Sequence, residues 1–379
     1  MHILPVASGK GGVGKSLLAA NLAIALAEAG KDVVCADLDL GASNLHILLG
    51  IQPSGKGVGF YLKEKNSKFE DCILQTEYPH LRFIPGDSEI PGIANITQSQ
   101  KKALISKLLS LKTDYLILDL GAGTHLNVLD FFLTSSRGIL MTMPTLTSML
   151  NAYLFLKNAL FRILSSLITK SSPANRILDS LEKDGTKFQK LYLPKLLKQI
   201  KEADKKVYDS YMEKANSFAP RVIMNMLENE KDSRRIDKLR MSIKEYLGIE
   251  IEHLGIIYRD ELQDIALNSR IPILLYKPNA VISQAIYRIA DKLVQHVEDE
   301  TQLLDFNFAE SFQIAELEAQ IDFSEKLHYI EDLMHSGSLS EGDLIDIIRS
   351  QHREINNLKK ENQLLKTKLA RAARAGFKV

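Results

Sequence analysis

Apolar positions in residues 1–156 follow two alternating spacings. Short apolar runs that end in glycine, proline or acidic residues predict buried strands, and longer alanine- and leucine-rich stretches predict helices. The predicted strands are 3–7, 32–36, 81–85, 115–118 and 138–143, and the predicted helices are 17–29 and 98–111. This βα alternation predicts an α/β fold in which helices flank both faces of a mostly parallel sheet.

Residues 157–218 interrupt the alternation. They are Lys-rich and mostly helix-forming, with breaks at Pro173, Gly185 and Pro194. The βα pattern then resumes, with strands predicted at 221–226 and 254–258 and helices at 232–247 and 281–297. We therefore interpret 157–218 as a helical insertion within one α/β domain that spans residues 1–299.

The end of the chain carries a heptad pattern, which predicts a C-terminal helical coiled-coil tail. Asn362 occupies an a position of this pattern, where a buried asparagine specifies register and dimer formation. A single amphipathic helix packed on the domain is the alternative interpretation. The positions of the seam are Leu344, Ile348, Gln351, Ile355, Leu358, Asn362, Leu365, Leu369 and Ala372.

Charge divides the C-terminal region into two segments. The whole chain has a net charge of +1, from 48 Lys and Arg against 47 Asp and Glu, which argues against a chain that coats nucleic acid or anionic lipid. Residues 301–346 nevertheless carry eleven acids and one lysine, a net of −10, and residues 347–379 carry a net of +7. We therefore expect an acidic helical segment at 300–346 and a basic coiled-coil tail at 347–379, and either could bind a protein partner.

Cysteine usage and hydropathy bear on the compartment. Cys35 and Cys72 are too few for a disulfide framework or a four-thiolate zinc site, so we expect reduced core residues and a cytoplasmic protein. Residues 138–156 are uncharged and approach the length of a membrane span, but Pro144 and several hydroxyl side chains interrupt them. We predict a buried strand, a turn and a helix at this position.

A glycine-rich loop joins the first predicted strand to the first predicted helix. Residues 9–16 read Gly-Lys-Gly-Gly-Val-Gly-Lys-Ser and fit the pattern G-x-x-x-x-G-K-S. In such a P-loop the backbone N–H groups cradle phosphates, Lys15 reaches the β- and γ-phosphates, and the Ser16 hydroxyl binds Mg²⁺. The sequence thus predicts a P-loop NTPase. The expected nucleotide-binding residues are Gly9, Gly11, Gly12, Val13, Gly14, Lys15, Ser16 and Leu17.

Acidic residues lie at the ends of two further predicted strands. Asp37 and Asp39 follow the second strand, and Asp119 follows the strand at 115–118. The carboxyl ends of parallel strands are where open α/β sheets bind ligands. We therefore expect these carboxylates to lie beside the P-loop.

The string KGGVGKS resembles the deviant Walker A motif of the MinD/ParA family of ATPases, and residues 35–44 resemble the family's switch I. The resemblance covers residues 1–156 and 219–298, and the string DLDLGASNLHILLG is most similar to the flagellar-number regulator (FlhG/FleN-like) branch. It implies a homodimer with ATP at the interface, in which Lys10 reaches the nucleotide of the partner subunit.

The resemblance also implies roles for residues at the strand ends. Asp39 would position the attacking water, and Asp37 and Asp119 would hold Mg²⁺ through its water ligands. The backbone amide of Gly123 would sense the γ-phosphate, and Asn225 would hydrogen-bond to the adenine edge. ATP and Mg²⁺ are therefore the expected cofactors, and Lys10, Lys15 and Asp39 the expected catalytic residues.

The expected function is a slow, partner-stimulated ATPase that switches by dimerisation and acts in flagellar placement or division-site control. A ParA-like ATPase that partitions DNA or cargo is one alternative, for which the Lys-rich insertion and basic tail offer weak support. A nucleotide-dependent coiled-coil adaptor is another. Iron–sulfur relatives need paired cysteines after switch II, and no cysteine follows Cys72. Any contact with the inner membrane would be peripheral and made through a partner.

Overall fold

A computed structural model describes residues 1–52, 56–64, 66–86, 96–177, 192–298 and 307–335. The chain divides into two compact units, residues 1–323 and 324–379. Of the second unit, only residues 324–335, the end of the last helix, are described. The heptad seam at 344–372 lies outside the described residues.

Eight strands of the described chain form one sheet in the order β3-β4-β2-β5-β1-β6-β7-β8. All neighbouring strands pair in parallel except β3 and β4, which are antiparallel. This confirms the mostly parallel sheet that the βα pattern predicts. The strands are β1 (His2–Ser8), β2 (Val33–Leu38), β3 (Leu74–Gln75), β4 (Leu81–Ile84), β5 (Tyr115–Ala122), β6 (Ile139–Thr142), β7 (Arg221–Leu227) and β8 (Glu252–Tyr258).

Helices connect the strands and cover the sheet. Their boundaries follow local signals, such as the reciprocal capping box of Thr97 and Gln100 at the start of α4. The helices are α1 (Lys15–Glu28), α2 (Leu45–Leu48), α3 (Val58–Lys63), α4 (Gln98–Leu109), α5 (Leu126–Phe132), α6 (Leu146–Leu167), α7 (Leu193–Ala203), α8 (Lys205–Ser217), α9 (Arg235–Leu247), α10 (Leu262–Asn268), α11 (Ile273–Tyr276), α12 (Val281–Glu298) and α13 (Phe308–His335).

The sheet has a buried hydrophobic cluster on each face. Val33 and Cys35 of β2 belong to the cluster that contains α1, α11 and α12. Val34 and Ala36 belong to the cluster that contains α4, α5, α6, α9 and part of α13. Because successive residues of a strand point to opposite faces, this alternation shows that helices cover both sides of the sheet.

The predicted helical insertion at 157–218 begins inside α6, which is continuous from Leu146 to Leu167. Tertiary packing explains the continuity, because residues of α6 on both sides of position 157 are buried in one cluster. α7 and α8 follow, and the predicted break at Gly185 lies outside the described residues. The polypeptide between β6 and β7 is thus an enlarged helical crossover that starts earlier than the sequence pattern indicates.

Residues 308–323 belong to the first compact unit, whereas the sequence pattern places them in a separate acidic segment that begins at residue 300. Phe312, Ala315 and Ala319 of α13 are buried in the core. The backbone N–H of His253 in β8, at the sheet edge, donates to the Ser311 hydroxyl at 3.1 Å. The domain therefore extends beyond residue 299.

Three carboxylates of α13 pair with cations of the domain, which accounts for part of the local acidic composition. Asp322, itself fully buried, pairs with Arg288, and Lys292 lies 2.7 Å from a Glu318 oxygen. Arg234 lies 2.9 Å from Glu316. Lys292 also donates to the Leu254 carbonyl at 3.0 Å, so α12 and α13 together contact the outer strand β8.

Residues 138–156 form β6, a turn and the first half of α6, as predicted. Within the described ranges, no helix combines the length and the apolar character needed to cross a membrane.

Candidate nucleotide-binding site

The glycine-rich loop joins β1 to α1 at the carboxyl edge of the sheet. Gly12 and Gly14 have φ angles of 76° and 91°, in the left-handed region that glycine tolerates. Gly14 is the N-cap of α1, so the N-terminus of that helix points into the loop. This is the anion-binding geometry of a P-loop, because unpaired helical N–H groups and the positive end of the helix dipole converge there.

The start of the loop lies against α6. A Cβ added at Gly9 would lie 2.2 Å from the carbonyl oxygen of Asn151, a backbone atom that cannot rotate away. The Ser8 hydroxyl donates to the Lys10 carbonyl at 2.6 Å, which fixes the first turn of the loop. The side chain of Lys10 is exposed, as its proposed reach toward a second subunit requires.

Lys15, Ser16 and Asp119 lie together beneath the loop. Lys15 is only 7% exposed, and both Lys15 and Ser16 lie near the Asp119 carboxylate. Burial, followed by the nearby charge of Asp37, raises the pKa of Asp119 to about 8, although Ser16 and Lys15 lower it. A carboxylate held in this way gains most from a cation placed beside it.

The donor set at this position fits a magnesium ion. Among the described residues, the Oδ1 atom of Asp119 is buried without a hydrogen-bond partner, beside the Ser16 hydroxyl. Hydroxyl and carboxylate oxygens suit Mg²⁺, which keeps several waters and takes further oxygens from phosphates. The described chain has no group of three or more His, Cys, Asp or Glu able to hold a metal, so phosphate and water would complete the coordination.

Asp37 holds the loop that follows β2. It is fully buried and accepts hydrogen bonds from the Ser43 hydroxyl at 2.6 Å, from the Leu45 amide at 3.1 Å and from the Asp39 amide at 3.2 Å. Burial raises the pKa of Asp37 above its ordinary value, and the three hydrogen bonds oppose the shift. Its register partner in β5 is Asp119, so the two carboxylates lie on adjacent strands.

Asp39 and Gly123 directly follow β2 and β5. Asp39 is half-buried, and one of its carboxylate oxygens would lie 3.1 Å from a Cβ added at Gly121, near the end of β5. Gly123 has a φ of 92°, and its amide donates to the Ser8 carbonyl at 3.0 Å. The Gly123 amide therefore joins the residue after β5 to Ser8, which directly precedes the P-loop, and Asp39 approaches the same end of β5.

Asn225 approaches the P-loop from β7. Its Nδ2 atom donates to the Val13 carbonyl at 2.9 Å. The same atom would lie 2.4 Å from a Cβ added at Gly14. Its Oδ1 atom accepts from the Met226 amide at 2.8 Å. Val13 is fully buried, whereas Leu17 is only partly covered.

The structure brings the sequence-predicted residues together at one edge of the sheet, where β1, β2, β5 and β7 end. Two residues that contribute to the site are not among those predicted from the sequence. Ser43 lies within the quoted switch I string, and its position six residues after Asp37 is the signal that could have revealed it. Asn151 contacts Gly9 through its backbone, for which the sequence holds no signal.

Several curated relatives are similar to part of the chain. The septum site-determining protein MinD of Helicobacter pylori is 31% identical over 148 residues, 39% of this chain and 54% of that protein. The antiactivator FleN of Pseudomonas aeruginosa is 28% identical over 50% of this chain and 69% of its own length. The flagellum site-determining protein YlxH of Helicobacter pylori is 33% identical over 41% of this chain and 52% of its own length. The chain thus spans about half of the MinD and YlxH relatives.

A solved structure shares the fold. The septum site-determining protein MinD of Pyrococcus horikoshii, complexed with Mg-ADP, superposes with a TM-score of 0.54 at 20% identity. The match covers 80% of this chain and 99% of that one. The family described as the CobQ/CobB/MinD/ParA nucleotide binding domain matches residues 4–273, well over half of the sequence. This chain therefore belongs to the CobQ/CobB/MinD/ParA family of nucleotide-binding domains.

Proposed function

We propose that this protein is an ATP-dependent dimerisation switch whose slow, partner-stimulated hydrolysis of ATP resets it. The observation that carries the proposal is the approach of the buried Lys15 and of Ser16 to Asp119 beneath a P-loop that has Gly12 and Gly14 in left-handed conformations. A cation and an Mg²⁺-binding hydroxyl at the N-terminus of a helix suit a polyphosphate with its metal.

Each residue of the loop has a distinct task in this proposal. Backbone N–H groups from Gly9 to Ser16 surround the phosphates, and Lys15 neutralises the β- and γ-phosphates. Ser16 and Asp119 hold Mg²⁺, and Asp37 fixes the neighbouring loop and the waters around the ion. The bound Mg²⁺ supplies electrostatic stabilisation of the phosphate charge. Leu17 lines the nucleotide pocket beside the loop.

Hydrolysis needs an oriented water and a neutralised transition state. Asp39 is half-buried and faces Gly121, so it is placed to orient a water at the end of the phosphate chain. Lys10 is exposed at the mouth of the loop and is free to reach the nucleotide of a second subunit. The Gly123 amide, which donates to the Ser8 carbonyl in this structure, would exchange that bond for one to the γ-phosphate, and Asn225 would recognise the adenine edge.

The cellular role is proposed from the relatives. Proteins named as septum site-determining and flagellum site-determining are each similar to about two fifths of the chain. We therefore infer a role in placing flagella or the division site, in the cytoplasm, with any contact at the inner membrane made through a partner. The acidic segment and the basic tail are the proposed sites of that partner.

The test is dimerisation and hydrolysis of the full chain by light scattering and phosphate release. With MgATP, but not MgADP, the unmodified chain should form a dimer. Lys15→Ala should abolish nucleotide binding, whereas Asp39→Ala should accumulate the ATP-bound dimer. Lys10→Ala should bind MgADP normally and fail to dimerise, and Lys102→Ala, an exposed lysine of α4, is the control. Hydrolysis by Asp39→Ala at the unmodified rate would contradict the role of Asp39.

A further inference from the structure

A strained bulge directs Asn225 at the P-loop. The pairing of β7 with β8 shifts register between Met224 and Leu227, so the two residues between them are displaced from the ladder. Met226 has a φ of 59°, an unusual conformation for a residue with a side chain. Its amide is bonded to the side chain of Asn225, whose other end reaches Val13. Bulges of this kind re-aim side chains and persist only where surrounding structure holds them.

The segment after the bulge is fixed by two consecutive arginines. Arg235 donates to the carbonyl of Pro144 at 2.5 Å, which ties this segment to the turn before α6. It also pairs with the buried Asp232 at 3.1 Å. Arg234 pairs with Glu316 of α13 at 2.9 Å. One end of the segment therefore carries the bulge, and the other is held by the C-terminal helix.

α13 contacts the same region a second time. The hydroxyl of Tyr258 donates to the Ala319 carbonyl at 2.8 Å. Tyr258 is the register partner of Leu227, the residue directly after the bulge. Because Ala319 is buried one helical turn from Glu316, both contacts come from one rigid stretch of helix.

We propose that Arg234 and Glu316 are positioning residues that set the affinity of the nucleotide site through the bulge at Asn225 and Met226. This deepens the proposed function and rests on it. α13 lies outside residues 4–273, which the family model matches. Since binding free energies are linked reciprocally, nucleotide bound at the P-loop also tightens α13.

The expected effect is modest, because the pair is largely exposed. The side chains of Arg234 and Glu316 are 68% and 38% exposed, and exposed pairs contribute little. Reversal of one charge replaces the attraction between the two side chains with repulsion. It therefore changes their interaction energy roughly twice as much as removal of that charge would. We expect each single reversal to weaken the affinity for MgADP by about 3- to 10-fold.

The experiment uses the full chain and titrates a fluorescent MgADP analogue into four variants. Arg234→Glu and Glu316→Arg should each weaken binding, and the double reversal should restore it toward that of the unmodified chain. Glu318→Arg is the matched control, since Glu318 anchors the same helix to Lys292 without touching the bulge segment. Thermal unfolding of each variant, without nucleotide, measures stability separately.

Restored affinity in the double variant, with unchanged affinity in Glu318→Arg, supports the proposal. If both single reversals bind MgADP as tightly as the unmodified chain does, the proposal is overturned. Equal losses in Glu316→Arg and Glu318→Arg would also overturn it, because general loosening of α13 would then explain both. Failure of the unmodified chain to bind MgADP would overturn the proposed function itself, and this inference with it.

Hydrogen exchange gives an independent readout of the reciprocal effect. In the unmodified chain, MgADP should slow amide exchange in residues 312–322 of α13, and Glu316→Arg should remove that protection. Slowing of exchange to the same extent in both proteins would contradict coupling through this pair.

Discussion

At the scale of single residues, the packing of the nucleotide site depends on glycines, which have no side chain. Gly9 and Gly11 lie two positions apart in one loop, yet their surroundings differ. A Cβ at Gly9 would meet the Asn151 carbonyl oxygen at 2.2 Å, whereas a Cβ at Gly11 would meet its nearest neighbour, the Ala122 methyl, at 3.9 Å. The motif alone cannot distinguish the two glycines.

We predict that Gly9→Ala lowers the free energy of unfolding by about 1–3 kcal/mol, because α6 or the loop must shift to admit the methyl group. Gly11→Ala is the control and should unfold within about 0.5 kcal/mol of the unmodified chain. Urea denaturation in the absence of nucleotide measures both. A larger loss for Gly11→Ala than for Gly9→Ala would contradict the packing of the loop on α6.

The chemistry of the P-loop could be predicted from sequence because it depends on adjacent residues. Lys15 and Ser16 follow the glycines directly, and the buried Lys15 and half-buried Ser16 lie near Asp119. The contacts of Gly9 with Asn151 and of Asn225 with Val13 could not be predicted from composition or spacing. Each joins elements far apart in the chain, and only the packed sheet brings them together.

At the scale of elements, three helices meet around one carboxylate. Asp130 of α5 accepts two hydrogen bonds from Arg162 of α6, at 2.6 and 3.1 Å, and also pairs with Lys101 of α4. Lys101 is 2% exposed and donates to Asn127 at 3.1 Å. Burial alone would raise the pKa of Asp130, but the hydrogen bonds from Arg162 and Lys101 hold it below its ordinary value.

We predict that Asp130→Ala destabilises the protein by about 3–5 kcal/mol, because it leaves the buried Lys101 ammonium without its counter-charge. Glu70→Ala, which removes an exposed partner of Lys107 at 3.8 Å, is the control and should change stability by less than about 1 kcal/mol. Chemical denaturation at neutral pH compares the two. Equal effects would show that the network is no stronger than a surface pair.

The same network has a defined pH dependence. Because the folded pKa of Asp130 lies below its unfolded value, its stabilisation is complete above the ordinary range of Asp and is lost as pH falls through the folded value. The stability difference between the unmodified chain and Asp130→Asn should therefore shrink as denaturation is repeated at pH values below about 4. A difference that grows in acid would contradict the sign of the shift.

Strand limits were harder to predict than strand positions. The apolar run at 115–118 predicts a strand that ends before Asp119, but β5 continues to Ala122. β5 is a central strand between β1 and β2, and its register pairs Asp119 with Asp37 and Ala122 with Ser8. The polar residues stay in the ladder because pairing with β1 and β2 satisfies their backbone groups, which an apolar pattern does not reveal.

At the scale of the whole molecule, the domain includes more of the chain than the βα pattern covers. The acidic composition of residues 301–346 predicts a separate acidic helical segment at 300–346, yet α13 contributes Phe312 to the core. Phe312 lies against the ring of His253, with centroids 5.1 Å apart, and beneath the guanidinium of Arg240. Three of the carboxylates that suggested a separate segment pair with cations from earlier in the sequence, so composition alone misplaces the boundary.

We predict that Phe312→Ala lowers the free energy of unfolding by about 3–5 kcal/mol, as large-to-small changes in a packed core do. Leu317→Ala lies on the same helix, is 59% exposed and should change stability by less than about 0.5 kcal/mol. Guanidinium denaturation of the full chain measures both variants. Similar small effects would indicate that residues 308–323 form a segment apart from the domain.

The contacts of β8 with Ser311 and Lys292 also affect how copies of the protein meet. An outer strand ordinarily presents free N–H and C=O groups that can recruit a strand from another molecule. Here the N–H of His253 and the carbonyl of Leu254 are already engaged by side chains of α13 and α12. Two of the groups through which β8 could pair with a strand of another copy are thereby occupied, and removal of α13 would free the N–H of His253.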